Sequence, residues 1–194
     1  TQAFTALGAV FPERTIELDA TAIPVERLVQ GRIRFVIAGA ERFFSPAQDN
    51  PRREHRMEAL AVLGTRSLHY LVRKDLSGPV RSLALPPPES GAGQVGALVA
   101  GLMDLSTPIT GEADVMIQAM ASGAVDGALF LSELGASHLL DAIEAGGARL
   151  VSLPEDILDR LSLRAPYLRV ARIASGTYPE QDDGLDTLAA QVLL

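Results

Sequence analysis

The chain has 194 residues, 47% of them hydrophobic, and a formal net charge of −7. This length allows one large domain or two small lobes with a buried core. An acidic balance without a basic block argues against nucleic acid as the main partner. Cysteine is absent, which excludes disulfides and thiolate metal sites. No apolar run reaches the roughly 18 residues needed to cross a bilayer.

The first part of the chain predicts short elements separated by turns. In order they are a helix over Gln2 to Phe11, a strand over Thr15 to Thr21, a helix from Pro24 that ends at Gly31, and a buried strand over Ile33 to Gly39. The polar segment Ser45 to Arg56 is interpreted as a solvated loop, with an anion-binding or docking patch as the alternative.

The rest of the chain predicts strands that alternate with helices. Between Met57 and Lys74 two strand-like runs are divided by Gly64-Thr65-Arg66. The later elements are a strand over Val80 to Leu85, a helix from Gln94, a break over Ser106 to Gly111, a helix over Glu112 to Ser122, a strand over Val125 to Leu131, a helix over Ser137 to Ala145, a strand over Arg149 to Leu153 and a helix over Pro154 to Leu163. This alternation indicates an α/β fold with mainly parallel sheets flanked by helices. A solvated turn at Asp182 to Asp186 is expected to precede a last helix.

The most informative internal stretch runs from Val80 to Leu102. A short apolar strand is followed by three prolines, then by Ser90-Gly91-Ala92-Gly93 and an apolar helical pattern. Such a loop directs free N–H groups and the positive end of a helix dipole at one spot, which favours an anion. A plain strand–helix connection of small residues is the alternative.

Ligands of such sheets bind beyond the carboxyl ends of the strands. The loops predicted to lie there are Ala20 to Pro24, Gly39 to Phe44, Pro86 to Gly93 and Ser132 to Gly135. An internal echo suggests two similar lobes, with an ordinary helix–Gly–strand joint as the alternative: Leu28 to Gly39 and Ala119 to Leu131 both read as an apolar helix end, a glycine and a buried strand.

The segment Arg172 to Leu194 is specific enough to suggest a family. It resembles the C-terminal segment of the TAXI-type solute-binding receptors of TRAP transporters, whose pattern is Ile-Pro-Ala-Gly-Thr-Tyr-Pro-Gly-Gln-Asp, a spacer and Thr. The matching residues are Ile173, Gly176, Thr177, Tyr178, Pro179, Gln181, Asp182 and Thr187. Glu180 stands where the family has its second Gly. Ser90 to Gly93 resembles the family's Gly-Ser-Gly-Thr loop, and Asp126 keeps an acid that Arg34 replaces in the other echo segment.

The resemblance implies a periplasmic binding protein of the second type, with two α/β lobes joined by hinge strands and a ligand clamped between them. Lobe one would comprise residues 1–68 and 171–194, and lobe two residues 69–170. The ligand would be a small organic acid, an amino acid or an oxo-acid, passed to TRAP permease subunits by a periplasmic or extracytoplasmic monomer. The expected substrate-binding residues are Thr21, Ala22, Ser90, Gly91, Ala92, Gly93 and Ser132, with Tyr178 at the hinge.

The sequence also departs from this family. The family's first strand and its Gly-Gly-Thr-Tyr-Tyr loop have no counterpart from Thr1 onward, and we expect them to be missing. At Thr21 to Arg27 only Thr21 survives from the family's Thr-Gly-Gly-Ser, so hydroxyl and amide donors are lost from lobe one.

Two other functions stay open at this point. A degenerate family member could serve as a sensor or scaffold without transport. Gly91-x-Gly93-x-x-Gly96 spells a dinucleotide fingerprint, which would indicate an NAD- or phosphate-binding enzyme. No acidic residue closes a second strand about 20 residues later, as that fingerprint requires.

The histidines His55, His69 and His138 are too scattered for a metal triad and are interpreted as surface or packing residues. The sequence therefore predicts a binding protein with no catalytic activity, no cofactor and no metal.

Overall fold

The computed structural model describes residues 24–43, 58–145 and 147–194. The predicted helix over Gln2 to Phe11, the strand over Thr15 to Thr21 and the loop over Ser45 to Arg56 lie outside these ranges. The helices are α1 (Pro24–Val29), α2 (Ala40–Phe43), α3 (Gly91–Leu102), α4 (Ala113–Ala121), α5 (Ser137–Glu144) and α6 (Glu155–Arg164). The strands are β1 (Ala38–Gly39), β2 (Val62–Arg73), β3 (Ser82–Leu85), β4 (Ser106–Thr110), β5 (Gly127–Ser132), β6 (Ala148–Val151), β7 (Leu168–Ile173) and β8 (Leu185–Leu193).

These strands form one mixed sheet, flanked by helices, in the order β1-β8-β2-β5-β3-β4, with β6 on β2 and β7 on β8. The predicted α/β class is confirmed. The predominance of parallel pairing is wrong for the described residues: β3 pairs in parallel with β4 and with β5. The other pairings, β1 with β8, β2 with β5, β6 and β8, and β7 with β8, are antiparallel. The sequence pattern detects the strand–helix–strand units but not the long strand β2 that they pair against.

β2 is one continuous strand and is not divided at Gly64-Thr65-Arg66 as predicted. A bulge between Val62 and Gly64 absorbs the glycine, so the ladder with β8 continues. From Leu68 onward the strand is buried on both faces. Leu68, Tyr70 and Val72 belong to the core beneath α3 and α6, whereas Leu71 belongs to the core beneath α4 and α5. Because successive side chains of β2 point to opposite faces of the sheet, this one strand joins two hydrophobic layers.

Helix predictions in the centre of the chain are confirmed, with small changes at the ends. Gly31 and Gly123 follow α1 and α4 at φ +71° and +78°, the left-handed conformation that ends a helix. α3 begins at Gly91 and not at Gln94, because Ser90 caps it. Within α4, Met116, Ala119 and Met120 are buried as expected, whereas Val115 is exposed.

Three other predictions are wrong. Of the buried strand expected over Ile33 to Gly39, only Ala38 and Gly39 pair, with the end of β8, and Phe35 is 51% exposed. The expected break over Ser106 to Gly111 is β4, because Pro108 is tolerated in a strand at the edge of a sheet. The expected last helix is β8, where pairing on both sides overrides the helix propensity of Leu188, Ala189 and Ala190.

The family-like motif builds the turn between β7 and β8. Gln181 is buried, and its amide donates to the carbonyls of Ala174 and Asp183 at 3.0 and 2.9 Å while its Oε1 accepts from the Tyr178 N–H at 3.2 Å. Gly176 and Glu180 both have positive φ, +72° and +57°. The motif therefore shapes a tight turn that places Tyr178 in the core.

Asp126 joins the starts of β3 and β5. Its carboxylate accepts from the N–H groups of Arg81 and Ser82 at 2.8 and 3.1 Å and from the Ser82 hydroxyl at 3.2 Å. These bonds fix the start of β3 against the start of β5, so their carboxyl ends lie side by side.

In the described ranges, no helix combines the length and the apolar character that crossing a bilayer requires.

Candidate functional site

A cleft of about 350 Å³ lies beyond the carboxyl ends of β3, β4 and β5. This is the edge where ligands of parallel strands bind. The volume suits a small molecule. The lining residues are Arg42, Pro86, Pro87, Glu89, Ser90, Ala92, Gly111, Glu112, Ala113, Met116, Phe130, Leu131, Ser132 and His138. The loops after β3 and β4 contribute residues to the cleft, and so do the end of β5 and the first turn of α5.

Ser90 lies in the cleft wall as the N-cap of α3. Its Oγ accepts from the Gly93 N–H at 2.9 Å and donates to the Pro87 carbonyl at 2.6 Å. The hydroxyl and the Gly93 amide, both expected to bind the anion, are thus already paired with each other. The N–H groups of Gly91 and Ala92, in the first turn, have no acceptor within the helix. Ala92 lines the cleft and Gly91 is buried beside it.

The glycines of this turn are required by close packing. A Cβ at Gly93 would lie 2.1 Å from the Pro87 carbonyl oxygen, and one at Gly91 would lie 2.3 Å from Cγ of Glu41. Gly96 packs against the Leu85 side chain, where a Cβ would come within 3.0 Å. The glycine spacing that spells a dinucleotide fingerprint is therefore explained by the seating of α3 on the β3–α3 loop and on α2.

Two further helices begin at the cleft. α4 starts at Ala113 after Glu112, and α5 starts at Ser137, next to the lining residue His138. Neither Glu112 nor Ala136, at the N-cap positions, makes a side-chain capping bond. Together with α3, three helices of eight or more residues present their positive ends to one cleft. This arrangement favours an anionic group more strongly than α3 alone.

Ser132 and His138 form a polar pair in the wall. The Ser132 Oγ lies 3.2 Å from Nε2 of His138, and the His138 ring packs at 5.4 Å from the Phe130 ring. Burial lowers the pKa of His138 below its usual 6.5, and the Asp141 carboxylate opposes this shift only in part. The ring is therefore neutral at pH 7. The sequence interpretation of His138 as a surface or packing residue misses its place in the cleft.

Arg42, on α2, also lines the cleft. Its Nη1 donates to the Glu89 carbonyl at 2.6 Å, across to the loop after β3. The preceding residue, Glu41, is buried and forms an ion pair with Arg66 of β2. The loop Gly39 to Phe44 is among those predicted to border a ligand. Arg42 itself is not predicted, because its position depends on the two-residue strand β1 and its pairing with β8.

The charges that line the cleft are mixed. Arg42 supplies one full positive charge, and Glu89 and Glu112 supply two negative charges at its margin. The helix starts therefore provide much of the positive potential available to an anion. The described residues contain no group of three His, Asp or Glu side chains placed to hold a metal ion.

Tyr178 does not line the cleft. It is 3% exposed, and its hydroxyl accepts from the Gly135 N–H at 3.0 Å and lies 2.8 Å from Nε2 of His69. His69 is completely buried in β2, and burial lowers its pKa to about 4. Tyr178 thus connects the loop after β5, the β7–β8 turn and β2. Its expected role at a hinge stays a prediction.

The structure brings Ser90, Ala92 and Ser132 together in one cleft, as the sequence predicts for a shared site. Gly91 and Gly93 lie beneath this surface and support it. Thr21 and Ala22 lie outside the described residues. His138 is a lining residue that the sequence analysis did not assign to the site. Its place could have been predicted, since it follows the predicted ligand loop Ser132 to Gly135 at the start of a helix.

Comparison with known proteins gives both a family and a fold. Residues 57–194 match the model of the NMT1-like family. No curated protein matches the chain. The substrate-binding protein of an amino acid ABC transporter is similar in structure, with a TM-score of 0.52 at 10% identity over 99% of this chain and 72% of that chain.

Two other solved structures are similar to a lesser degree. One comes from work on glutathione import through GshT and the cystine ABC importer TcyBC of Streptococcus mutans, with a TM-score of 0.47 at 11% identity over 79% of this chain and 67% of that chain. The other is a Xanthomonas citri protein bound to ATP, with a TM-score of 0.49 at 13% identity over 99% of this chain and 70% of that chain. The family match covers well over half of the residues of this chain. The fold is that of periplasmic substrate-binding proteins, and the chain belongs to the NMT1-like family.

Proposed function

We propose that this chain is an extracytoplasmic solute-binding protein that captures a small organic acid in the cleft for a TAXI-type TRAP transporter. The observation that carries the proposal is the convergence of three helix N-termini on a cleft of about 350 Å³ that also contains Arg42. Unpaired N–H groups and helix dipoles stabilise a bound anion without a catalytic step.

A carboxylate suits this cleft better than a nucleotide. In the proposed pose one carboxylate oxygen accepts from the N–H groups of the first turn of α3, and the Ser132 hydroxyl donates to the other. The Ser90 hydroxyl acts indirectly, by capping α3 and holding its first turn in place. Arg42 closes the cleft from the α2 side. Thr21 and Ala22 stay proposed as substrate-binding residues.

The sheet supports the proposed division into lobes at 1–68 with 171–194 and at 69–170. β2 pairs with β8 over Val62 to Ser67 and with β5 over Ser67 to Val72, so one strand passes from one set of partners to the other. β7 likewise runs across the proposed boundary between residues 170 and 171 and is paired with β8 from Leu168 to Ile173. Two such strands are suited to act as hinges between lobes that close over a ligand, with the membrane permease as the recipient partner.

Isothermal titration calorimetry tests the proposal. The purified chain is titrated with L-glutamate, 2-oxoglutarate, pyruvate and NAD. We expect binding of at least one acid and none of NAD. Arg42→Ala should weaken the binding of that acid about tenfold, a change of about 1.4 kcal/mol. Arg169→Ala is the matched control, since Arg169 is an exposed arginine on β7 away from the cleft lining, and it should leave the affinity unchanged.

Two results would contradict the proposal. Absence of heat with every acid, from a chain shown to be folded by circular dichroism, would favour a sensor or scaffold without a small-molecule ligand. Equal weakening by both arginine variants would place the acid outside the cleft.

A further inference from the structure

We propose that His138 takes up a proton when the acid binds, so that the cleft holds its carboxylate more tightly as the pH falls. This inference rests on the proposed function and adds a regulation to the same site. His138 is then a binding residue that becomes positively charged only when a ligand is present.

Geometry places His138 where a bound carboxylate would meet it. The ring lines the cleft, and its Nε2 contacts the Ser132 hydroxyl at 3.2 Å. Phe130 covers the ring at 5.4 Å and limits its rotation. A carboxylate that accepts from the Ser132 hydroxyl therefore lies within reach of Nε2, which can donate only when that nitrogen carries a proton.

The surroundings keep the His138 ring neutral when no ligand is bound. Burial disfavours the charged form, and the start of α5, with its positive dipole end, also opposes a positive charge. His69 on β2 adds a further repulsion whenever it is protonated. On its own helix only Asp141 favours protonation, and burial outweighs it.

Three other charged side chains line the cleft, and the sign of each charge fixes its effect on His138. Arg42 opposes protonation of His138, whereas Glu89 and Glu112 favour it. A ligand carboxylate at Ser132 would add one more negative charge at short range. An opposite charge that close raises a histidine pKa. Ligand and proton thus promote each other's binding.

The sign of the pH dependence follows from this linkage. Affinity rises as the pH falls through the pKa of His138 in the complex, and it stops rising below the lower pKa of the free protein. Over that window the dissociation constant falls by up to about tenfold per pH unit. A cleft that binds through backbone N–H groups and Arg42 alone would show no such window.

The test uses the strongest-binding acid among glutamate, 2-oxoglutarate and pyruvate. Calorimetry at pH 6.0 in MES and in Bis-Tris, two buffers that differ in ionisation enthalpy, counts the protons taken up, and two-dimensional NMR follows the histidine resonances with and without the acid. We expect net proton uptake on binding, a His138 pKa that rises in the complex, and an affinity about three- to tenfold higher at pH 5.5 than at pH 7.5.

His138→Gln separates charge from hydrogen bonding, because the glutamine amide can donate without titrating. The variant should bind the acid with an affinity independent of pH and without proton uptake. Tight binding by the wild type with no proton uptake, or an unchanged pH dependence in His138→Gln, would overturn the inference and leave the proposed function standing. If no acid binds at all, the proposed function fails, and the inference fails with it.

Discussion

The Tyr178 hydroxyl lies 2.8 Å from Nε2 of His69, which ties the β7–β8 turn to the middle of β2. The Gly135 N–H donates to this oxygen, which leaves the hydroxyl hydrogen available to His69. The two rings meet edge to face, with centroids 5.5 Å apart. A residue that the sequence places in a family motif thus holds the core together, away from the cleft.

Replacing Tyr178 by Phe should destabilise the protein by about 1–3 kcal/mol, because it leaves the buried His69 Nε2 and the Gly135 N–H without partners. Urea unfolding followed by circular dichroism measures this loss. Tyr70→Phe is the control: Tyr70 is as deeply buried, and its hydroxyl makes no hydrogen bond to the described residues. We expect its free energy of unfolding to change by less than about 0.5 kcal/mol. Equal losses in both variants would contradict a special role for the Tyr178 hydroxyl.

Acid should destabilise the protein through His69. Its pKa is about 4 in the folded chain and 6.5 in the unfolded chain, so the unfolded state binds the proton first. Stability is therefore complete above pH 6.5 and is lost as the pH falls toward 4, by about 3 kcal/mol. Urea unfolding between pH 4 and pH 8 shows this slope. It should flatten in His69→Gln, and a slope that persists in a folded variant would assign the effect to other groups.

A glycine-to-alanine pair on α3 separates packing from helix propensity. Gly93→Ala places a Cβ 2.1 Å from the Pro87 carbonyl, so the loop must move, and we expect a loss above about 2 kcal/mol. At Gly101, on the same helix, a Cβ meets nothing within 4 Å. Gly101→Ala should therefore stabilise the protein by about 0.5–1 kcal/mol. Thermal unfolding of both variants checks the opposite signs, and a stable Gly93→Ala would mean that α3 can begin elsewhere.

Glu180 adopts the left-handed conformation, with φ +57°, at the position where the resembling family has glycine. Glu180→Gly removes the Cβ strain, whereas Glu180→Ala keeps it, and both lose the exposed ion pair with Lys74. We expect the glycine variant to be more stable than the alanine variant by about 1 kcal/mol. Chemical unfolding of the two variants side by side gives this difference. A more stable alanine variant would show that Glu180 is not strained.

Local sequence patterns predicted the elements that local physics determines. Proline at the start of α1, glycine at the end of α4 and the apolar spacing of Met116, Ala119 and Met120 depend only on neighbouring residues. The cluster of Ser90 and Ser132 was predicted by a different rule, since both lie at the carboxyl ends of strands that run the same way. The sequence thus located three loops of the cleft correctly.

Elements that depend on distant pairing were not predictable. Leu188, Ala189 and Ala190 have helix propensity, yet β2 and β7 hold them in a strand. Arg42 reaches the cleft only because β1 pairs with the end of the chain. His138 differs: its position after a ligand loop was visible, but its pairing with Ser132 needs the tertiary structure.

The place of β8 in the sheet has a kinetic consequence. It lies between β1 and β2 and also pairs with β7, yet it is the last described element along the chain. Strand pairing across such long sequence separations slows folding, because the closure entropy of the intervening loop opposes each contact until it forms. During synthesis the first half of β2 must therefore wait for its partner, with the backbone N–H and C=O groups of one edge unpaired. A chaperone that shields this edge should raise the yield of folded protein, whereas the β3–α3–β4 unit should assemble early and without help.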